Sequence, residues 1–212
     1  MNKLEELAKN LIEGQKDKVE ELTRLALDEG VDATEILSKG LIGGMDIVGE
    51  RFQQAEMFIP EVLRAAKAMH AAMDILMPLL LGTGFQALGK VVLGTVKEDI
   101  HEIGKNLVGI MLSGAGFEVI DLGVGVPPQK FIEAAVENKA QLIGMSSLLT
   151  LTMPSMKDTI EELKKAGLEN QIKTMIGGAV VTQRYADEIE ADGYAQDAPS
   201  AVVKAKELLK LI

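Results

Sequence analysis

Residues 91–104 read VVLGTVKEDIHEIG: an uncharged run with three valines, then a charged loop that leads into a helical pattern. A strand without polar alternation suits a sheet covered on both faces. The unit recurs toward the C-terminus as FEVIDLGV from Phe117, QLIGMSS from Gln141, IKTMIGGA from Ile172 and a weaker GYAQDA from Gly193. Helical stretches lie between these runs: Ile103, Leu107 and Met111 share one apolar face, and others cover 129–138, 155–166 and 198–211. Strands alternating with helices imply a parallel sheet with right-handed crossovers, the doubly wound α/β class. Ligands of such sheets bind beyond the carboxyl ends of the strands. The segments to question are therefore KEDIHEIG, GVGVPP, SSLLT and GGA, which follow or finish the first four strands.

Upstream the period changes. Apolar residues recur at helical spacing: Leu4, Leu7 and Leu11; Val19, Leu22 and Ala26; Leu37, Leu41, Met45, Val48 and Phe52; Ala66, Met69, Met73, Leu76 and Leu80. This spacing predicts four helices. Asp32 with Glu35 reads as a capping pair for the third, Gly30 as a stop for the second, and Pro60 as a helix start where its missing N–H costs nothing. The segment LGTGFQALGK, 81–90, breaks the period with Gly82, Gly84 and Gly89 and is the expected linker. Two domains are expected, a helical module over 1–88 and a sheet domain over 89–212.

Composition removes several function classes. The 22 Lys and Arg against 32 Asp and Glu give a formal net charge of −10, a field that repels nucleic acid and anionic membranes. There is no cysteine, so disulfides, thiolate zinc sites, iron–sulfur clusters and cysteine nucleophiles drop out together. The charged helical start, MNKLEELAKNLIEG, lacks the pattern of a secretion signal, and no apolar run approaches the roughly 18 residues of a membrane span. A cytoplasmic protein is expected. With no Trp, 2 Tyr and 5 Phe, the chain offers no aromatic ladder on which bases could stack.

The two histidines read differently. His70 lies inside a helix beside Met69 and reads as an ordinary surface or core residue. His101 sits in the loop after the first strand, two residues past Asp99 and three before Gly104. A carboxylate so placed accepts the proton of one ring nitrogen and leaves the other directed at a metal or a proton. Gly104 lets a bulky ligand approach the start of the next helix. Alone, this string equally describes a capped loop with an incidental histidine. Other strand ends add to it: Ser146, Leu148 and Thr150 form a mixed polar and apolar series, and Gly177-Gly178 removes side chains where the fourth strand finishes. Together they describe a slot for something long and flat with a polar tail. One imidazole is too little for a protein-only zinc site, which wants three or four ligands. It suffices if a macrocycle supplies the rest.

Asp99-x-His101-x-x-Gly104, then Ser146-x-Leu148 with Thr150, then Gly177-Gly178, resembles the signature of the cobalamin-binding domain shared by methionine synthase, base-off mutases and methylotrophic corrinoid proteins. The match in order and spacing covers about 88–212. The helical half resembles that family's cap, which a mutase subunit normally lacks. The resemblance implies a Rossmann or flavodoxin-like domain holding cobalamin or a related corrinoid, with cobalt ligated by His101, and methylcobalamin in the loaded state. It implies that the benzimidazole tail leaves cobalt and threads past Ser146, Leu148, Thr150, Gly177 and Gly178, while Asp99 bonds the far ring nitrogen of His101. Phe52 and Ile59 fall where capped carriers set apolar residues over the upper corrin face; from pattern alone they are helix-packing residues. Thr152 and Ser155 both stand near the position of a third relay member, and the sequence leaves open which, if either, fills it.

The implied role is a methyl carrier, the corrinoid subunit of a multi-component methyltransferase system without complete turnover of its own. Its partners would be a substrate-specific donor methyltransferase, an acceptor methyltransferase linked to coenzyme M or tetrahydrofolate, and a reductive activase. Access to the upper face implies movement of the cap, with Gly82, Gly84 and Gly89 as the candidate hinge. A cobalamin-dependent sensor module is the alternative, and a cofactor-free receiver would need an acidic residue where Ser146 stands. Gly123-x-Gly125 with Pro127-Pro128 reads as a turn, Gly43-Gly44 as a packing feature, and the eleven methionines as core filler.

Overall fold

The computed structural model describes residues 2–80 and 87–212, and these divide into two compact units. The first lies within Met1–Gln86 and includes Gly114–Gly116; the second comprises Ala87–Ser113 and Phe117–Ile212. Of the expected linker, 81–86 lies outside the described residues, including Gly82 and Gly84. Gly89 is pinned at the sheet, because its carbonyl accepts from Glu118 N and an added Cβ would stand 2.7 Å from Leu209. It belongs to the start of the sheet domain and not to a free hinge.

In the first unit the helices are α1 (Lys3–Ile12), α2 (Lys16–Asp28), a run of α3 (Ala33–Glu35), a π-helical stretch (Ile36–Ile42) and α4 (Gly43–Gln53), and α5 (Ile59–Leu80). These are the four expected helices, the third carrying the π stretch in its middle. Leu7, Leu11, Val19, Ile36, Leu41, Val48, Val62 and Leu76 form its core, all fully buried. Gly40 and Gly44 face α1: an added Cβ would meet Leu7 Cδ2 at 2.8 Å and Leu11 Cδ2 at 3.1 Å. Close helix packing is thus the role of this glycine stretch. Asp32 accepts from Thr34 N at 2.8 Å, whereas Glu35 pairs with Lys39 instead of closing a capping box.

The second unit is a five-stranded parallel sheet in the order β2-β1-β3-β4-β5. Its strands are β1 (Lys90–Thr95), β2 (Glu118–Asp121), β3 (Leu142–Ser146), β4 (Lys173–Gly177) and β5 (Gly193–Ala195). The helices are α6 (Ile103–Gly114), α7 (Pro128–Asn138), α8 (Pro154–Lys165), α9 (Gln183–Glu188) and α10 (Ala198–Leu208). This is the doubly wound order in which a ligand crevice opens between β1 and β3, where the connections diverge to opposite faces. Phe131 of α7 is fully buried and seats its ring over Gly94, where any Cβ would stand 2.8 Å from it. The six-residue α9, capped by Thr182, has no apolar period of its own and is invisible to periodicity.

Among the described residues no helix is long and apolar enough to cross a membrane.

Candidate functional site

Three loops meet at the carboxyl ends of β1, β3 and β4. After β1 the chain turns through Glu98, a non-glycine residue at φ +67°, and brings Asp99 and His101 back over the strand end. Thr95 Oγ1 donates to the His101 carbonyl at 2.8 Å, and Gly125 N donates to the Asp99 carbonyl at 2.9 Å. The loop is thereby fixed from β1 and from the turn at 123–126, whose Gly123 and Gly125 adopt positive φ as a turn requires.

Asp99 is fully buried, and both of its oxygens are occupied. Oδ1 accepts from His101 N at 3.0 Å and lies 2.7 Å from His101 Nδ1. Oδ2 accepts from Leu148 N at 2.8 Å and Thr152 Oγ1 at 2.8 Å, with Leu149 N at 3.3 Å and Ser147 Oγ at 3.4 Å. Burial alone would raise this carboxyl's pKa. Hydrogen bonds from the Leu148 and His101 amides, the His101 ring and the Thr152 hydroxyl outweigh it and hold the group well below the usual carboxylate range. An ionised carboxylate only accepts, so the ring proton of neutral His101 sits on Nδ1 and the Nε2 lone pair is left for another partner. The His101 side chain is 44% exposed, so Nε2 is open to a ligand.

The structure brings Thr152 to Asp99. Ser155 stays apart: its Oγ is buried and has no hydrogen-bond partner among the described residues. Thr152 Oγ1, which donates to Asp99 Oδ2, also lies 2.8 Å from the buried Ser147 hydroxyl.

The remaining expected residues distribute as follows. Gly104 opens onto free space, with nothing within 4 Å of an added Cβ. Ser146 ends β3, half-buried and paired with Thr95 in the sheet register. Leu148 contributes its backbone to Asp99 and exposes its side chain; Thr150 is exposed. At Gly178, φ is +124° and an added Cβ would stand 1.9 Å from the Ser147 carbonyl oxygen; at Gly177 it would stand 2.7 Å from that of Ala195. The glycine pair thus serves the close approach of strand-end backbones as well as any slot. In the helical unit Phe52 is half-buried and Ile59 is 41% exposed.

Sequence reasoning missed part of the site. Ile103, assigned to a core face, is the first residue of α6 and is 76% exposed, while Leu107 and Met111 are buried. Ile100 at 77%, Leu151 at 89%, and Leu148 and Leu149 are likewise exposed aliphatic side chains, on the loop that carries His101 and on the loop whose amides bond Asp99. Such clustering marks a surface that something apolar covers. Ser147 was also passed over; its alternation inward from Ser146 was the available signal. His70 is exposed and lines a cleft of about 650 Å³ with Arg24, Lys67 and Asp74 in the helical unit, a set of solvated charges with no residue of the His101 network.

Among the described residues no group of three or more His, Asp or Glu is placed to hold a metal ion. A single imidazole with an open nitrogen, backed by an ionised carboxylate, on loops that expose aliphatic side chains and beside the free space at Gly104, fits a metal whose other ligands come from a flat macrocycle.

Residues 89–203 match the family model described as B12 binding domain, and residues 3–77 match a second model of the same description. The chain is 47% identical over 207 residues to dimethylamine corrinoid protein 1 of Methanosarcina acetivorans, covering 97% of each. It superposes with a TM-score of 0.80 and 32% identity on a cobalamin-binding protein from Desulfitobacterium hafniense, covering 97% of this chain and 98% of the other. A chain of the methanol:cobalamin methyltransferase complex of Methanosarcina barkeri superposes with a TM-score of 0.87 at 28% identity, covering 96% and 78%.

Proposed function

This chain belongs to the corrinoid proteins built on a B12 binding domain, and from that premise we propose that it carries a methyl group between a substrate-specific donor methyltransferase and an acceptor methyltransferase. The reading puts cobalt on His101 Nε2, with the corrinoid's own benzimidazole displaced. When bound, the corrinoid supplies a cobalt centre that accepts and gives up the methyl group. Everything else falls to the chain's own residues.

The observation that carries the reading is the 2.7 Å contact of His101 Nδ1 with a buried, fully bonded Asp99. That contact fixes the tautomer and strengthens the imidazole as a donor. His101 Nε2 would hold the metal, and Asp99, itself held by Thr152, would keep the ring in the orientation and tautomer that present that nitrogen. Ile100, Ile103, Leu148, Leu149 and Leu151 offer exposed apolar surface that a bound ring would cover, excluding water from the imidazole. Ser146, Leu148, Thr150, Gly177 and Gly178 line the path assigned to the nucleotide tail, and the unsatisfied Ser155 Oγ is a group that a buried polar tail would satisfy. Phe52 and Ile59, with the exposed Phe58 and Leu63, form an apolar surface of the helical unit suited to the upper face of the ring.

Kinship with a dimethylamine corrinoid protein supports a methylamine as the source of the methyl group. A thiol such as coenzyme M or a tetrahydrofolate receives it, a reductive activase restores the carrier, and the whole cycle runs in the cytoplasm. Alone the chain completes no turnover.

Reconstitution with cobalamin tests the reading. The bound cofactor should show a base-off absorption spectrum with a protein nitrogen as lower ligand, and His101→Ala should remove that nitrogen. An unchanged spectrum in the variant would refute the ligand assignment.

A further inference from the structure

We propose that Lys105 is a positioning residue for His101, resting on the axial-ligand reading above. Lys105 stands in the first turn of α6, four residues past His101, and its side chain is 1% exposed. A buried ammonium must be paired. Its Nζ donates to Asp121, the last residue of β2, and to Asn106 Oδ1 at 2.6 Å. Asp121 in turn accepts Gly123 N at 2.9 Å, which fixes the turn after β2. The carbonyl of Gly123 accepts from Thr95 N at 3.0 Å, and Gly125 N holds the Asp99 carbonyl at 2.9 Å.

The pair therefore ties the C-terminal end of the histidine loop to a neighbouring turn that holds its middle. On one side is the start of α6, where Lys105 sits; on the other is the turn after β2, whose Gly125 N holds the Asp99 carbonyl. Asp121 is 45% exposed and has ample water, so the burial cost falls on the lysine. A lysine used only for solubility would leave the ammonium outside. Its burial in this place fits a strap that holds the loop so that His101 Nε2 meets the metal without the loop having to be ordered first.

The test uses full-length protein loaded with cobalamin reduced to cobalt(II), with its histidines labelled by the heavy nitrogen isotope. Paramagnetic resonance then splits into a doublet for a protein histidine and a triplet for the corrinoid's own base. Wild type should show the doublet. Lys105→Met and Asp121→Asn should each keep the corrinoid bound but lower the ratio of histidine-on to histidine-off cobalt about tenfold. The double variant should fall no further than either single one, because one pair carries the effect. Asp121→Asn alters a half-exposed side chain and decides the matter alone should Lys105→Met fail to fold. A ratio in Asp121→Asn within about twofold of wild type would overturn the proposal for Lys105 and leave the ligand assignment intact. A wild-type spectrum without the histidine doublet would overturn both.

Discussion

The two units treat buried polarity in opposite ways. Among the described residues Thr23 is the one buried polar residue of the helical unit, and its hydroxyl donates to Val19 of its own helix at 2.7 Å. The sheet unit buries Thr95, Asp99, Lys105, Ser147, Thr152, Ser155, Thr159 and Thr174, and its central group, Asp99, gathers donors from two loops. Three glycines illustrate the contrast, although Gly14 of the helical unit also meets backbone, at Arg64. Gly40 and Gly44 yield to the ends of leucine side chains, which can shift, whereas Gly178 yields to the Ser147 carbonyl, which cannot. The helical unit is thus held by apolar packing that tolerates small adjustment, and the sheet unit by fixed backbone and a dense polar network. Chemistry needs the second kind of order, because an axial ligand misplaced by an ångström is lost.

Gly178→Ala attacks that order most directly. The left-handed backbone and the collision with Ser147 should cost about 4 kcal/mol of stability in a denaturant melt, among the larger single-residue effects. A loss below about 1 kcal/mol would show that the strand ends are as adaptable as the helical seam. Asp99→Asn should come next, costing about 3 kcal/mol at neutral pH, because a buried acceptor of several donors becomes half donor. Its pH dependence fixes the cause. The folded carboxyl titrates below its unfolded value of about 4, so its contribution is complete above that pH and is lost as the pH falls toward the depressed value. Wild type should therefore lose stability on acidification, and Asp99→Asn should lose less.

The smallest effects come from one chemical change made in both units. Thr152→Val should cost about 1.5 kcal/mol, since it removes the hydroxyl that donates to Asp99 Oδ2 at 2.8 Å. Thr23→Val should cost about 0.5 kcal/mol or less, because the carbonyl it releases keeps its helical partner. Equal melting shifts for the two variants would erase the distinction between the units.

Much of this was legible in the chain, for identifiable reasons. The helical and strand periods reflect which side chains face a core, and burial is a local consequence of spacing. The Asp99–His101 pairing is two residues apart and was readable for the same reason. Ile103 misled the same method: its spacing fits the face that Leu107 and Met111 bury, but at the first position of α6 it is exposed, and in that turn the buried side chain is Lys105. The six residues of α9 are too few to carry a period.

What the sequence determined by itself was the class of sheet, the four helices, and a histidine backed by a carboxylate at a strand end. Tertiary structure alone decided that Thr152 and not Ser155 reaches Asp99, across 53 residues of chain, that Lys105 is sealed against Asp121, and that Gly178 is needed by Ser147. Local spacing governs which face a residue shows to its own element. Which distant group it meets depends on how the strands stack in register, and that is a property of the assembled sheet.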